Sequence, residues 1–458
     1  FKESDQVLME EFIEGREISC GVMIAGGLVV VMLALNFLVY YLLLFLGRFV
    51  GKCILAFTLI GNALSLYFIN TYQVLITDKM MGNVFNTRYS EASGFFSWDA
   101  VWYLLFLGVV PCIYLFARRV DYGSRRRFLT RTGAALALSL AVALINMQNW
   151  PWIDRHAPKI GSLIMPWSYV VNSVRYYNSE RKRNRKEIPL PDARIATDSR
   201  DVCVLVIGES ARRANFSLYG YGRPTNPLLE RDSVTALMAD AAATYTTAGV
   251  KAILDHKPTN KLYEILPNYL YRNGVDVVWR SANWGEPPLH IDKYYGTREL
   301  KARYPEADDR YDGILLAGLR DEILSSDKDK LLIVLHTSTS HGPTYYKKYP
   351  AEFEAFKPVC TTVEMSKADP GELMNAYDNT IVYTDYLIHS VIEILRDVPR
   401  RSCLIFVSDH GESLGEGNLY MHGVPMLVAP KEQIEIPFLV WTSDGELKAD
   451  AGKQVGQY

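Results

Sequence analysis

The first third of the chain contains four long apolar runs, which span residues 21–46, 53–69, 101–117 and 132–153. A helix needs about 20 apolar residues to cross the hydrocarbon core of a bilayer, and charged loops separate the four runs. This pattern favours membrane-spanning helices over buried helices of a soluble protein, and a signal peptide would be a single run near the start. We therefore predict an α-helical transmembrane domain with four spans over residues 24–153.

The charges of the connecting loops predict how these spans are oriented. The loop after the third run carries six arginines against the single acidic residue Asp121. Because cytoplasmic loops are enriched in Lys and Arg, this loop is expected inside, and the balanced loop 71–99 outside. The fourth span then leads outward, so the chain after Trp150 lies outside the cytoplasm. With four spans, the N-terminus lies on the same side as the chain after the last span, which places residue 1 outside. We therefore expect an original first span to be missing from this sequence, and we also expect a C-terminal segment to be missing.

A different pattern begins after the apolar runs. Short, continuous apolar segments alternate with helical stretches such as 372–396. Continuous apolar segments are typical of buried parallel strands, and the alternation predicts an α/β domain with a mainly parallel central sheet. We assign residues 154–200 to a linker and residues 201–458 to this domain. The predicted strands lie within residues 201–210, 275–282, 331–343 and 402–413.

The composition of the chain excludes several functional classes. Its 49 Lys and Arg residues nearly balance its 51 Asp and Glu residues, which argues against nucleic-acid binding through bulk charge. A hydrophobic content of 49% excludes a mostly disordered chain. The six cysteines form no C-x-x-C pair, so neither a zinc finger nor a thioredoxin-type site is predicted.

Polar side chains follow three of the predicted strands. Glu209 follows the first, His336 and His341 follow the third, and Asp409 with His410 follows the fourth. In open α/β sheets, ligands bind outside the carboxyl ends of the strands. Carboxylates and imidazoles are suitable zinc ligands, so the sequence predicts a metal site at this edge.

The sequence also offers a hydroxyl nucleophile for this site, on a threonine near the start of a predicted helix. Thr246 and Thr247 precede a predicted helix in the segment Ala243–Leu254. The backbone N–H groups at a helix N-terminus favour a phosphate group, and an adjacent zinc ion would activate a hydroxyl. A threonine at this position can equally serve only as the helix N-cap.

The outward loop contains a further pattern. Asn83, Thr87 and Glu91 recur every four residues and would share one face of a helix. On spacing alone, a solvated helix face is the preferred interpretation.

Four long motifs carry a resemblance to a known family. They lie in residues 206–227, 340–350, 375–388 and 407–425, and include "VIGESARRANFSLYGYGRPTNP" and "VSDHGESLGEGNLYMHGVP". The chain resembles the phosphoethanolamine transferases of the alkaline phosphatase/sulfatase superfamily, which include the lipid A-modifying enzymes of polymyxin resistance. The resemblance extends from about residue 24 to residue 445. It implies an inner-membrane enzyme with a sulfatase-like catalytic domain in the periplasm and usually five spans.

The resemblance also assigns roles to the candidate metal ligands. The zinc ligands of the family are matched by Glu209, Asp409 and His410. The resemblance implies that the protein binds one zinc ion or two. Thr246 matches the nucleophile, which also contacts the metal, while a one-residue shift of the alignment would select Thr247.

Other residues match substrate-binding positions of the family. His341 and His422 match histidines near the transferred group, which sometimes hold a second zinc. Asn83, Thr87 and Glu91 match a face that meets the lipid headgroup, and this match reverses the interpretation from spacing alone.

The implied reaction transfers phosphoethanolamine from phosphatidylethanolamine to lipid A or another lipopolysaccharide group through a phosphothreonine intermediate. The implied partners are these two lipids and the surrounding membrane lipids, with no nucleic acid, and we expect a monomer. Two alternatives remain open. The first is a glycerophosphate transferase resembling lipoteichoic acid synthases, or a phosphodiesterase, with the same fold. The second is an inactive membrane sensor.

The chain also departs from the family at an expected disulfide, and its first residues resemble another family. Cys360 matches half of a family disulfide, but Ala368 stands where its partner is expected. Residues 6–23 resemble a segment of D-alanine–D-alanine ligases, so we treat residues 1–23 as an uncertain segment and expect a chimeric N-terminus.

Overall fold

The structure is a computed structural model that describes residues 32–45, 47–72, 74–86, 95–119, 123–145, 161–183 and 187–445. The ligase-like segment 6–23, Thr87 and Glu91 therefore lie outside the described residues. Among the described residues, internal contacts define two units. The first comprises those within 1–69, 75–81 and 98–175, and the second those within 70–74, 82–97 and 176–458.

The N-terminal part is helical, as its apolar runs predict. Helices α2, α4 and α5 are each long and apolar enough to cross a membrane, and α1 is a shorter apolar helix. None of the residues of α5 is buried, as expected for a helix that faces lipid. The helices described here, in chain order, include α1 (Met32–Phe45), α2 (Arg48–Tyr72), α3 (Asp78–Asn86), α4 (Trp98–Ala117), α5 (Arg125–Ile145) and α6 (Trp167–Arg183).

The start of α6 is held within the first unit by polar side chains. The Tyr169 hydroxyl lies 3.2 Å from the Thr58 carbonyl oxygen and 3.1 Å from Asn62 Oδ1, both on α2. The Asn172 side-chain amide donates to the Ile76 carbonyl at 2.6 Å. Because these groups are buried or half-buried, their hydrogen bonds fix the position of α6 more firmly than apolar contact alone would.

The second unit is built on a seven-stranded sheet in the order β2-β9-β6-β1-β5-β3-β4. The five neighbouring strands β6, β1, β5, β3 and β4 are parallel, whereas β9 runs antiparallel to β6 and β2. This confirms the predicted α/β domain with a mainly parallel sheet. The strands are β1 (Asp201–Gly208), β2 (Thr235–Asp240), β3 (Asp276–Ser281), β4 (Lys293–Gly296), β5 (Lys330–His336), β6 (Arg401–Ser408), β7 (Ser413–Leu414), β8 (Tyr420–Met421) and β9 (Glu435–Thr442).

Helices connect the strands, and the longest, α12, contains 27 residues. It begins at a proline, which needs no hydrogen-bond partner for its nitrogen. The Asp369 side chain caps it by accepting from the backbone N–H groups of Gly371 and Glu372. The helices of this unit are α7 (Pro227–Asp232), α8 (Thr246–Leu254), α9 (Leu266–Arg272), α10 (Thr297–Arg303), α11 (Leu319–Ser325), α12 (Pro370–Arg396) and α13 (Lys431–Ile434).

The register of the central strands determines where the polar residues meet. Val204, Ile333 and Leu404 lie side by side on β1, β5 and β6 and are fully buried. On the same register, Gly208 at the end of β1 pairs with Ser408 at the end of β6. The residues that follow the two strands therefore emerge together at one edge of the sheet.

Candidate active site

Three segments deliver the candidate ligands to this edge. Glu209 follows β1, Asp409 and His410 follow β6, and Thr246 is the first residue of α8. All four side chains are buried. Gly249 allows α8 to come this close, because a Cβ atom there would lie 2.3 Å from the Asp409 carbonyl oxygen.

The side chains converge around one point. Thr246 Oγ1 lies 3.2 Å from Glu209 Oε2 and 3.4 Å from His410 Nε2. The same His410 nitrogen lies 3.4 Å from Glu209 Oε1 and 3.4 Å from Asp409 Oδ2. Two carboxylates, an imidazole nitrogen and a hydroxyl thus present ligand atoms to a common volume.

Asp409 provides a specific indication of a cation. Its Oδ1 accepts from the backbone N–H groups of Ser210 and His410. Its Oδ2 is buried without a hydrogen-bond partner and lies nearest the His410 ring. A buried carboxylate oxygen with no donor is costly, and a divalent cation at this point would satisfy it.

His410 is oriented as a metal ligand would be. Its Nδ1 lies 2.9 Å from the Gly411 carbonyl oxygen, so Nδ1 carries the proton and Nε2 keeps its lone pair. Burial and the nearby charge of His422 lower the pKa of His410 to about 4. The ring is therefore neutral at pH 7.

The two carboxylates respond differently to this environment. Burial alone would raise the pKa of Glu209, but electrostatic interaction with His410, His341 and His422 lowers it below its ordinary value. Burial, followed by the charge of Glu209, raises the pKa of Asp409 well above its ordinary value. Two buried like charges this close favour either a shared proton or a bound cation.

Two further histidines lie beside this cluster. The His422 ring lies 4.3 Å from the His410 ring, centroid to centroid, and the His341 ring lies 5.5 Å from that of His422. Glu209, His410 and His422 have ligand atoms within 4.8 Å of one another. The structure thus brings both predicted histidines to the site.

Sequence reasoning missed several residues that hold this arrangement. The Asn283 side-chain amide donates to Glu209 Oε2 at 2.7 Å and to the Thr337 carbonyl at 2.8 Å. The Ser210 hydroxyl donates to Glu209 Oε1 at 2.7 Å, and Glu412 Oε2 lies 3.0 Å from His422 Nδ1. Asn283 follows β3 closely, so the rule about strand ends includes it but does not separate it from other short polar residues at such positions.

The remaining candidates lie elsewhere or outside the described residues. His336 packs edge-on against Trp279 and lies 3.2 Å from the Ser281 hydroxyl. Thr247 is half-buried beside Gly285. Asn83 lies on α3 and is half-buried, but the face that it would share with Thr87 and Glu91 stays a prediction.

The cysteines within the described residues are free thiols. Cys360 is buried and its thiol lies 3.4 Å from the Thr362 carbonyl oxygen. The expected loss of the disulfide at Cys360 is consistent with this arrangement.

Comparisons with known proteins match both halves of the chain. Residues 201–457 match the Sulfatase family, and residues 31–181 match the family described as phosphoethanolamine transferase EptA/EptB. The resemblance of residues 6–23 to a ligase is not borne out, since the relatives found are transferases and neither family match begins before residue 31.

Individual relatives cover most of the chain. The phosphoethanolamine transferase EptA of Helicobacter pylori is 40% identical over 390 residues, which are 84% of this chain and 74% of the relative. The phosphatidylethanolamine transferase Mcr-1 of Escherichia coli is 30% identical over 430 residues, which are 86% of this chain and 79% of the relative.

Solved structures are similar over both parts and over the second alone. The integral membrane lipooligosaccharide phosphoethanolamine transferase A from Neisseria meningitidis has a TM-score of 0.84 and 28% identity, covering 98% of this chain and 89% of that structure. The periplasmic domain of phosphoethanolamine transferase EptC from Campylobacter jejuni has a TM-score of 0.51 and 35% identity. The match covers 56% of this chain and 83% of that structure.

Proposed function

Because the chain belongs to the phosphoethanolamine transferases of the alkaline phosphatase/sulfatase superfamily, we propose that it moves phosphoethanolamine from phosphatidylethanolamine to lipid A or another lipopolysaccharide group. The observation that carries this proposal is the position of Thr246. Its hydroxyl oxygen lies within 3.4 Å of both Glu209 and His410 at the start of a helix. A buried hydroxyl beside a carboxylate and an imidazole is arranged as a nucleophile.

The donor set fits a zinc ion. Glu209, Asp409 and His410 would hold it beside the Thr246 hydroxyl, and His422, whose ligand atoms lie close to those of Glu209 and His410, would add a ligand or hold a second ion. Oxygen and imidazole ligands suit zinc, and the unpartnered Asp409 oxygen supports a cation here. When bound, zinc would supply positive charge to the phosphoryl oxygens and lower the pKa of a neighbouring hydroxyl.

The chain's own residues would carry the two transfer steps. The Thr246 oxygen attacks the phosphorus of the donor, forming a Thr246 Oγ–P bond, while the bond to the diacylglycerol oxygen breaks. Glu209 accepts from the Thr246 hydroxyl and orients it, and the hydroxyl proton would pass to His341 or His422. His341 or His422 would give the proton that the leaving diacylglycerol oxygen takes up.

The second step reverses these roles. An oxygen of the acceptor attacks the same phosphorus, its proton passes to a histidine, and the Thr246 oxygen leaves. The N-terminus of α8 would stabilise the charge on the phosphoryl oxygens in both steps, since its first backbone N–H groups have no partner within the helix.

Both substrates of this reaction are lipids, which agrees with the membrane helices α2, α4 and α5. On the charges of the loops, the catalytic unit belongs on the outer side of a bacterial inner membrane, in the periplasm. The alternative of an inactive sensor gains no support from a site whose ligands are all present.

A transfer assay tests the proposal. The purified full chain with zinc would move a headgroup label from phosphatidylethanolamine to lipid A, and Thr246→Ala would abolish transfer while the matched variant Thr247→Ala would retain it. Release of free labelled phosphoethanolamine without labelled lipid A would indicate a phosphodiesterase instead. No turnover by the unmodified chain with any acceptor would contradict the proposal.

A further inference from the structure

The loop that follows His422 exposes three consecutive apolar side chains. Met426, Leu427 and Val428 are 36%, 94% and 64% exposed, and Leu427 has the highest exposed fraction of any large hydrophobic side chain among the described residues. We call these three residues the apolar tip. Elsewhere in the described part of the second unit beyond residue 187, exposed large hydrophobic side chains occur singly.

The base of this loop is fixed next to the catalytic threonine. The Gly423 backbone N–H donates to the Thr244 carbonyl at 2.7 Å, and the Thr244 hydroxyl donates to the Val424 carbonyl at 2.6 Å. Thr244 precedes Thr246 by two residues. The Val424 N–H also donates to the buried side chain of Gln433 at 3.2 Å.

The tip itself is held in a turn. The Val428 backbone N–H donates to the Pro425 carbonyl at 2.9 Å. Hydrogen bonds at both the base and the turn mean that the apolar tip keeps its place relative to Thr246 and His422. Its exposure is therefore a built feature of this loop and not the consequence of an unstructured segment.

Exposed apolar groups in a cluster commonly mark a surface that binds an apolar partner. Three side chains are too few for a stable protein interface, which buries about 1,200 Å² or more. They are, however, enough to contact one or two hydrocarbon chains. The exposed Lys431 follows the loop, and long basic side chains are favoured where protein meets a membrane interface.

We propose that the apolar tip contacts the acyl chains of the donor glycerolipid while its headgroup occupies the site at Thr246. This inference rests on the proposed function, because the donor of that reaction carries two acyl chains next to the phosphate. The tip would then favour a lipid donor over a water-soluble phosphoethanolamine ester that has the same reacting bond.

The test compares two donors with the purified full chain and zinc. One donor is long-chain phosphatidylethanolamine in mixed micelles, and the other is glycerophosphoethanolamine, which has the same phosphodiester without acyl chains. In Leu427→Ser, the ratio of kcat/KM for the long-chain donor to that for the short donor should fall about tenfold. This is the effect expected when a leucine that the bound acyl chain would cover is replaced by a polar side chain. The matched control Leu324→Ser, an exposed leucine on α11, should leave the ratio unchanged.

An unchanged ratio in Leu427→Ser would overturn the inference, as would an equal loss with both donors. A defect seen only in cells would also overturn it and would indicate a protein partner for the tip. If the unmodified chain transfers from neither donor, the proposed function itself fails, and this outcome is distinct from any change of the ratio.

Discussion

Asp409 is a buried side chain whose surroundings are unfavourable unless a cation is bound. Its Oδ2 has no hydrogen-bond partner, and the charge of Glu209 acts against its own. In Asp409→Asn we expect weaker zinc binding by more than about tenfold, since even groups that only orient a ligand contribute roughly 10–100-fold. With zinc removed by a chelator, the same variant should be more stable than the unmodified chain, because the amide is uncharged beside Glu209 without having to take up a proton.

Zinc titration and thermal unfolding, each with and without chelator, check both expectations. A variant that binds zinc with unchanged affinity would contradict the assignment of Asp409. A variant that is less stable in both conditions would assign it a structural role instead.

Gly249 is the residue on which the position of Thr246 depends. An added Cβ would lie 2.3 Å from the Asp409 carbonyl oxygen, so Gly249→Ala must displace α8 from the end of β6. We expect a loss of about 1–3 kcal/mol in the free energy of unfolding and a larger fractional loss of transfer activity. Gly222→Ala, where the added Cβ meets nothing within 4 Å, is the control, and equal effects of the two substitutions would contradict this role.

At the residue scale, the sequence predicted the acidic and imidazole groups better than the residues that donate hydrogen bonds to them. Glu209, Asp409 and His410 could be found because buried strands precede them and charged groups seldom stand there without cause. Asn283 and Ser210 could not be distinguished in this way, since short polar residues follow strands for many reasons. Their hydrogen bonds to Glu209 depend on side-chain conformations that only the folded chain fixes.

At the scale of elements, Asp385 couples α12 to α7. Its carboxylate accepts the backbone N–H groups of Leu228 and Leu229 at 3.0 Å each. Burial, only partly offset by these hydrogen bonds and by His389, raises the pKa of Asp385 to about 7. The folded state therefore holds this proton up to a higher pH than the unfolded state does.

This difference predicts a pH dependence. Because the folded chain binds more protons between about pH 4 and 7, the contribution of Asp385 to stability falls as the pH rises through that range. Asp385→Asn keeps an acceptor oxygen but cannot ionise, so its stability should fall less across the range. Thermal unfolding of both forms from pH 4.5 to 7.5 measures this, and parallel curves would contradict the shifted pKa.

The elements themselves were predictable where burial was complete. The parallel strands β1, β3, β5 and β6 were predicted because strands covered on both faces are continuously apolar. The short strand β4 (Lys293–Gly296) has no such run, with half-buried and exposed residues only. The predicted apolar run begins at Thr132, but helix α5 begins at Arg125. Arginine is a good helix former, so its charge ends the apolar run without ending the helix.

At the scale of the whole molecule, the arginines before and within α5 predict that this end of the helix lies in the cytoplasm and that the catalytic unit lies outside. In a background with Cys53→Ser, a cysteine introduced at the exposed Arg119 should react with a membrane-impermeant maleimide only after spheroplasts are lysed. A cysteine at the exposed Glu352, in the catalytic unit, should react in intact spheroplasts. The reverse pattern would contradict the periplasmic assignment.

The architecture of the whole chain was recognisable from sequence because its two parts follow different physical rules. Uncharged runs of about 20 residues predict membrane helices, and alternating strands and helices predict a parallel sheet. The antiparallel strands β2 and β9 were not predicted, because strand direction depends on pairing between distant residues and not on a local pattern. Val407 pairs with Phe438, and Thr235 pairs with Val440.

The most direct measurement is the location of the phosphoryl group on the chain. The purified protein with zinc would be incubated with phosphatidylethanolamine in the absence of an acceptor, digested, and analysed by tandem mass spectrometry. We predict one phosphoethanolamine on Thr246, removed when lipid A is added. A modification on Thr247 or on any other residue, or a chain that turns over without becoming modified, would contradict the central claim.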